Sequence, residues 1–234
     1  MYYGFDPTII LLIPAMIFAF VAQGMVQSAF KKYSGYRNSR GLTGAAAARY
    51  ILDRNGLSDV AIVPVSGSLT DHYDPTQRTL NLSQDVFDKA SVSAVSVACH
   101  EAGHAMQHAE GYAPLRIRNS IVPVVNFASS ISWVLIMIGI GLIFSASQSM
   151  LGNLVFDIGV IAFVVVLAFH VITLPVEFDA SSRALRQMEQ YGVLGDEDMK
   201  GARKVLRAAA MTYVAAAAVA AANLLRILLI RERN

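Results

Sequence analysis

Ala98-Cys99-His100-Glu101-Ala102-Gly103-His104-Ala105-Met106-Gln107-His108 contains the pattern H-E-x-x-H. On an α-helix, residues four apart share a face and stand about one turn, or ~6 Å, apart. Two imidazoles so placed can converge on one Zn²⁺, and the glutamate between them points close to the metal without having to ligate it. A catalytic zinc site also needs a third protein ligand and one open position for water. The rest of the chain must supply that ligand. The apolar stretch from Val92 to Cys99 is too short to cross a membrane, so the motif helix is a core or interfacial helix.

Composition sets the surroundings of this helix. The 234 residues are 55% apolar and only 15% charged, and the mean hydropathy is +0.47. This is the balance of a membrane protein. A net charge of +2, with no basic patch interleaved with aromatics, gives no sign of nucleic-acid binding. Cys99 is the single cysteine, so no intrachain disulfide framework is possible.

Four apolar segments read as spans, at about 8–30, 121–145, 151–174 and 207–230. No Lys or Arg precedes the first, so it lacks the basic start of a cleaved signal peptide and reads as a retained anchor. The polar regions 31–119 and 176–206 together form the catalytic part. In the first of these, Thr43 can cap a short helix over 45–52 that Gly56 would close. Val60–Val65 reads as a strand whose Pro64 suggests an edge, and Thr79–Leu82 alternates like a second short strand. Ser83 begins a helix expected to break near Ala90, before the motif helix. The fold class is therefore a mainly α membrane protein of about four transmembrane helices, with a membrane-proximal α+β region carrying a small β element.

Spans two and three form a hairpin, which puts 31–119 and 176–206 on the same side of the membrane. These regions hold 10 and 5 of the 19 Lys and Arg residues, and the loop around Ser147-Gln148-Ser149 holds none. The bias points both catalytic regions to the cytoplasm, with Arg231 and Arg233 left on the opposite side.

The hairpin also brings Glu177 to the side of His100 and His104, just beyond a helix expected to kink or end at Pro175; it is the expected third ligand. The alternative reading of Glu177 is a solvated acid at a helix start. His108 lies ~12 Å along the axis from His100, too far to share one metal. Glu110 stands where a third histidine would fall in H-E-x-x-H-x-x-G-x-x-H sites. Asp179 is two residues from Glu177, so only one of them should face the metal. Glu101 is then the general base. Asp179 or Ser181 can orient a ligating imidazole, and His72 or Tyr213 can serve as the oxyanion donor. Asp157 and His170 are ionisable groups within the third span, and Cys99 is expected to be a small core residue.

Three stretches carry a resemblance: Leu69-Thr70-Asp71-His72-Tyr73-Asp74-Pro75, Val97 through Gln107, and Leu174-Pro175-Val176-Glu177-Phe178-Asp179-Ala180-Ser181. Through them the sequence resembles the YugP-like family of membrane zinc metallopeptidases over nearly its whole length. The resemblance implies a bacterial inner-membrane neutral zinc metallopeptidase with a glutamate-zincin site, and supports His100, His104 and Glu177 as ligands and Glu101 as base. The chain is also distantly similar to the HtpX-type membrane proteases, whose element after the third span has an aspartate where Ser181 stands here.

The expected function is a zinc-dependent endopeptidase acting on membrane or membrane-proximal proteins, with Thr79–Leu82 as the strand edge that receives the substrate. The competing reading is a zinc-binding membrane subunit that regulates a partner without hydrolysis. An intramembrane site-2-type protease is excluded, because the motif helix is too short and no Asp-Gly pair exists in the chain.

Overall fold

The computed structural model describes residues 7–145 and 149–232. A 3-10 turn, Pro7–Leu11, leads into α1 (Leu12–Ser34), which ends on Lys31 and Lys32, cations that suit a helix C-terminus. Next come α2 (Gly44–Arg54), β1 (Ala61–Val65), β2 (His72–Asp74), β3 (Thr79–Ser83), α3 (Gln84–Phe87) and the motif helix α4 (Val92–Ala109). Three long helices follow: α5 (Ala113–Ser145), α6 (Met150–Gln190) and α7 (Asp196–Glu232).

Four helices are long and apolar enough to cross a membrane: the one beginning at Thr8, and α5, α6 and α7. At most 22% of each apolar window is buried within the chain, so most of that surface is left for lipid. The mainly α membrane architecture and the small β element are as the sequence led us to expect.

The chain divides into two compact units. One takes the chain up to Phe20, Ile117–Thr173 and the chain from Tyr213. Its apolar centre is Ile136, Phe156, Phe163 and Ile227. The other takes Val21–Arg116 and Leu174–Thr212 and holds the larger core. There Thr43 caps α2 by accepting from Ala46 N, and Ala47, Ala48, Ile51 and Leu52 are fully buried. Ser91 caps α4 in the same way through Ala94 N. The motif helix is buried over most of its length, as a core helix must be.

Two expectations need correction. The strand at Thr79–Leu82 is not an edge: the sheet order is β1-β3-β2, with β3 parallel to β1 and antiparallel to β2. Leu80 and Leu82 are fully buried, which suits a strand with neighbours on both sides, whereas Pro64 lies in the edge strand β1. Nor does the third span end at Pro175, because α6 runs through it without interruption. A proline inside a membrane-spanning helix is tolerated where neighbouring groups take up the freed carbonyl.

Candidate active site

The site is assembled where α6 crosses α4. Val176, Ala180, Ala184 and Met188, four apart along α6, are all fully buried. The closest approach is at Gly103, where a Cβ would lie 2.5 Å from the Ala180 carbonyl oxygen. The glycine within H-E-A-G-H therefore lets the two backbones come together. Glu177 and Ser181, one turn apart on α6, then meet the two histidines of α4. His100 Nε2 is 3.3 Å and His104 Nε2 3.6 Å from Glu177 Oε2. The three prospective ligand atoms all lie within 4.8 Å of one another.

The far side of each imidazole is held. Ser181 Oγ is 3.1 Å from His100 Nδ1, and Gln107 Oε1 is 3.0 Å from His104 Nδ1. The amide of Gln107 has only one workable orientation, because its Nε2 donates to Val176 O and to Asp179 Oδ2, both at 2.8 Å. Its oxygen must then accept from His104, which fixes the proton on Nδ1 and leaves the Nε2 lone pair aimed at Glu177.

A buried carboxylate oxygen that faces the His104 lone pair and the His100 Nε2 atom is best stabilised around a positive charge. Glu177 Oε2 is buried and accepts no hydrogen bond. Tetrahedral zinc with bonds of ~2.1 Å sets its ligand atoms ~3.4 Å apart. The observed separations of 3.3 and 3.6 Å match that spacing, and the nitrogen, nitrogen and oxygen donors suit zinc. Burial opposes a charge on His104, but the facing Glu177 carboxylate and Glu101 outweigh it and hold its pKa above the ordinary value.

Asp179 does not enter this cluster. Its Oδ2 takes the Gln107 amide and Arg183 Nε, the latter at 2.6 Å, and Arg183 Nη1 reaches Glu110 Oε2 at 2.6 Å. The guanidinium also lies over the Tyr112 ring, 5.7 Å from its centroid. The chain from Glu110 through Arg183 and Asp179 to Gln107 thus ends on the His104 imidazole. Sequence reasoning gave Gln107 and Arg183 no role. The available signals were helical spacings: Gln107 is three residues after His104, and Arg183 four after Asp179.

Glu101 is buried and is held by β2, with Oε2 accepting from Tyr73 N at 3.1 Å. The strand is itself fastened by Asp71, whose Oδ1 accepts from Ser83 N at 2.7 Å and from Ser83 Oγ at 3.0 Å. Burial raises the pKa of the Asp71 carboxyl against the pull of these bonds. Burial likewise raises the Tyr73 phenol, so its hydroxyl stays protonated; it is hydrogen-bonded to His108 Nδ1 at 2.9 Å. His108 is thus engaged with β2. His72 is exposed on the same strand, its Nδ1 2.9 Å from Thr70 O. Tyr213 belongs to the other compact unit. Cys99 is fully buried, and burial pushes its thiol pKa well up, as befits a neutral core side chain.

A membrane-spanning helix that runs on to set a buried glutamate beside two histidines of a core helix places the molecule among the membrane-integrated metallopeptidases. The chain belongs to the family described as "Putative neutral zinc metallopeptidase", whose model matches residues 8–232. It is 48% identical over 223 residues to the "Putative membrane protease YugP" of Bacillus subtilis (strain 168), covering 95% of each chain. No solved structure matches it.

Proposed function

We propose that this protein is a zinc-dependent endopeptidase of membrane or membrane-proximal proteins, with His100, His104 and Glu177 holding the metal and Glu101 as general base. The observation that carries this reading is the Glu177 Oε2 atom, buried, without a hydrogen bond and facing two imidazole Nε2 atoms. Zinc held there would supply a Lewis acid that polarises the scissile carbonyl and makes water a better nucleophile at neutral pH. Glu101, steadied at Oε2 by Tyr73 N–H, has its other oxygen free to take the proton of the attacking water and return it to the leaving amine. Ser181 and Gln107 keep the imidazoles in the tautomer that presents Nε2. Asp179 acts one step further out, through Gln107.

An extended substrate would lie along β2, the edge strand whose backbone already reaches Glu101, in place of the central strand first expected. His72 and Tyr213 are the side chains to test as oxyanion donors, by His72→Phe and Tyr213→Phe. The excess of Lys and Arg in 31–119 and 176–206 supports a site facing the cytoplasm of a bacterial inner membrane. A periplasm-dependent reporter fused within 147–150 should be active; silence there, with the fusion present in the membrane, reverses the orientation.

Purified full-length protein with Zn²⁺ should cleave an unfolded test protein. Glu101→Gln should keep its zinc and lose activity by ~10²- to 10⁴-fold. Full activity in that variant would exclude Glu101 as base.

A further inference from the structure

Within the catalytic unit, α1 and α7 touch at Tyr33 and Gly201, where a Cβ on the glycine would lie 2.8 Å from Tyr33 Cε1. Around Gly24 on α1 there is open space instead, and an added Cβ would meet nothing within 4 Å. The two helices enclose a groove of about 620 Å³ there. Val21, Met25 and Ala208 give it apolar walls, and three cations line it as well: Lys32 from α1, and Lys204 and Arg207 from α7. No acidic side chain lines it. The neighbouring cations on α7 are paired, Lys200 with Glu197 at 2.7 Å and Arg203 with Glu189 at 3.1 Å. Lys32, Lys204 and Arg207 take part in no salt bridge among the described residues.

The cations stand where the first apolar segment ends and the fourth begins, at the level where lipid headgroups meet water. A soluble anion would satisfy the cations but leave the apolar walls bare. A phospholipid with net negative charge satisfies both, because Arg and Lys bind phosphate oxygens and an acyl chain covers Val21, Gly24 and Met25. We propose that this groove is a binding site for one anionic phospholipid, its phosphodiester held among Lys32, Lys204 and Arg207 and one acyl chain lying along α1. The site is separate from the metal cluster, and the proposal does not depend on peptide hydrolysis.

The test is native mass spectrometry of the full chain in detergent, titrated with phosphatidylglycerol or phosphatidylcholine. We expect phosphatidylglycerol to form a one-to-one complex and phosphatidylcholine to bind far more weakly. Lys204→Gln and Arg207→Gln should each weaken the complex about fivefold. Gly24→Leu, whose Cβ would meet nothing within 4 Å, puts a side chain into the groove and should weaken the complex with all charges intact. Lys31→Gln removes a neighbouring cation that does not line the groove and should leave binding unchanged. Equal binding of the two lipids would overturn the proposal, and so would an equal loss in Lys31→Gln, since either marks general surface attraction. Displacement of the lipid by millimolar glycerol phosphate would also overturn it, by reassigning the site to soluble phosphates. Should Gly24→Leu fail to fold, the contrast between Lys204→Gln and Lys31→Gln decides the matter alone.

Discussion

The two compact units bury different chemistry. In the membrane-helix unit the centre is Ile136, Phe156, Phe163 and Ile227, and the ion pair between Arg231 and Asp157 is about 40% exposed on each side. In the catalytic unit Glu101, His104, Gln107 and Glu177 are all buried, and each touches another polar group across an element boundary or within α4. Charge at the edge of a helix bundle is replaceable, because water or headgroups can take its place. Charge in a packed core is retained only if its neighbours need it, since leaving one member unpaired costs several kcal/mol. The polar groups of the catalytic unit should therefore be far less tolerant of substitution than those of the membrane-helix unit.

The largest departure should come at the proposed third ligand, Glu177. Glu177→Ala should abolish activity and reduce copurifying zinc toward zero by elemental analysis, with helical content kept by circular dichroism. Undiminished zinc would remove Glu177 from the ligand set. Next is Gln107→Leu, which keeps the volume but frees the His104 ring, and should weaken zinc binding by ~10- to 100-fold in chelator competition. A Leu variant that binds zinc normally would show that packing alone orients the imidazole. Tyr73→Phe removes only the hydroxyl bond to His108 and keeps the backbone contact to Glu101. It should lower stability by about 0.5–1.5 kcal/mol with zinc content unchanged. The smallest effect belongs to the other unit: Asp157→Asn should change stability by ~0–1 kcal/mol, the range for exposed pairs. A larger loss in a detergent unfolding titration would place that pair away from water and narrow the contrast between the units.

Much of the architecture was legible because it rests on local pattern. Spans follow from runs of apolar residues, and the cap at Thr43 lies next to the helix it starts. The meeting of Glu177 with His100 and His104 was readable because a hairpin of spans leaves its two flanks on one side. Sheet order was not readable in this way. β3 is flanked on both sides because β1 pairs with it in parallel past the intervening β2, a non-local fact that short alternating strands do not encode. Of the two outcomes expected at Pro175, a kink or an end, the end does not occur, because a helix leaving a bilayer has neighbours that absorb a proline's defect. Gln107 was overlooked because a glutamine within a helix has no pattern of its own. Only the direction of its amide, set by Val176 O and Asp179, shows what it does.

The continuity of α6 through Pro175 also has a consequence in time. The ribosome delivers His100, Glu101 and His104 first, and Glu177 follows only after α5 and most of α6 have been made. A nascent chain that has not yet built its membrane hairpin carries His100, Glu101 and His104 but lacks Glu177. The order of synthesis therefore withholds the complete His-His-Glu cluster until the membrane hairpin has been made.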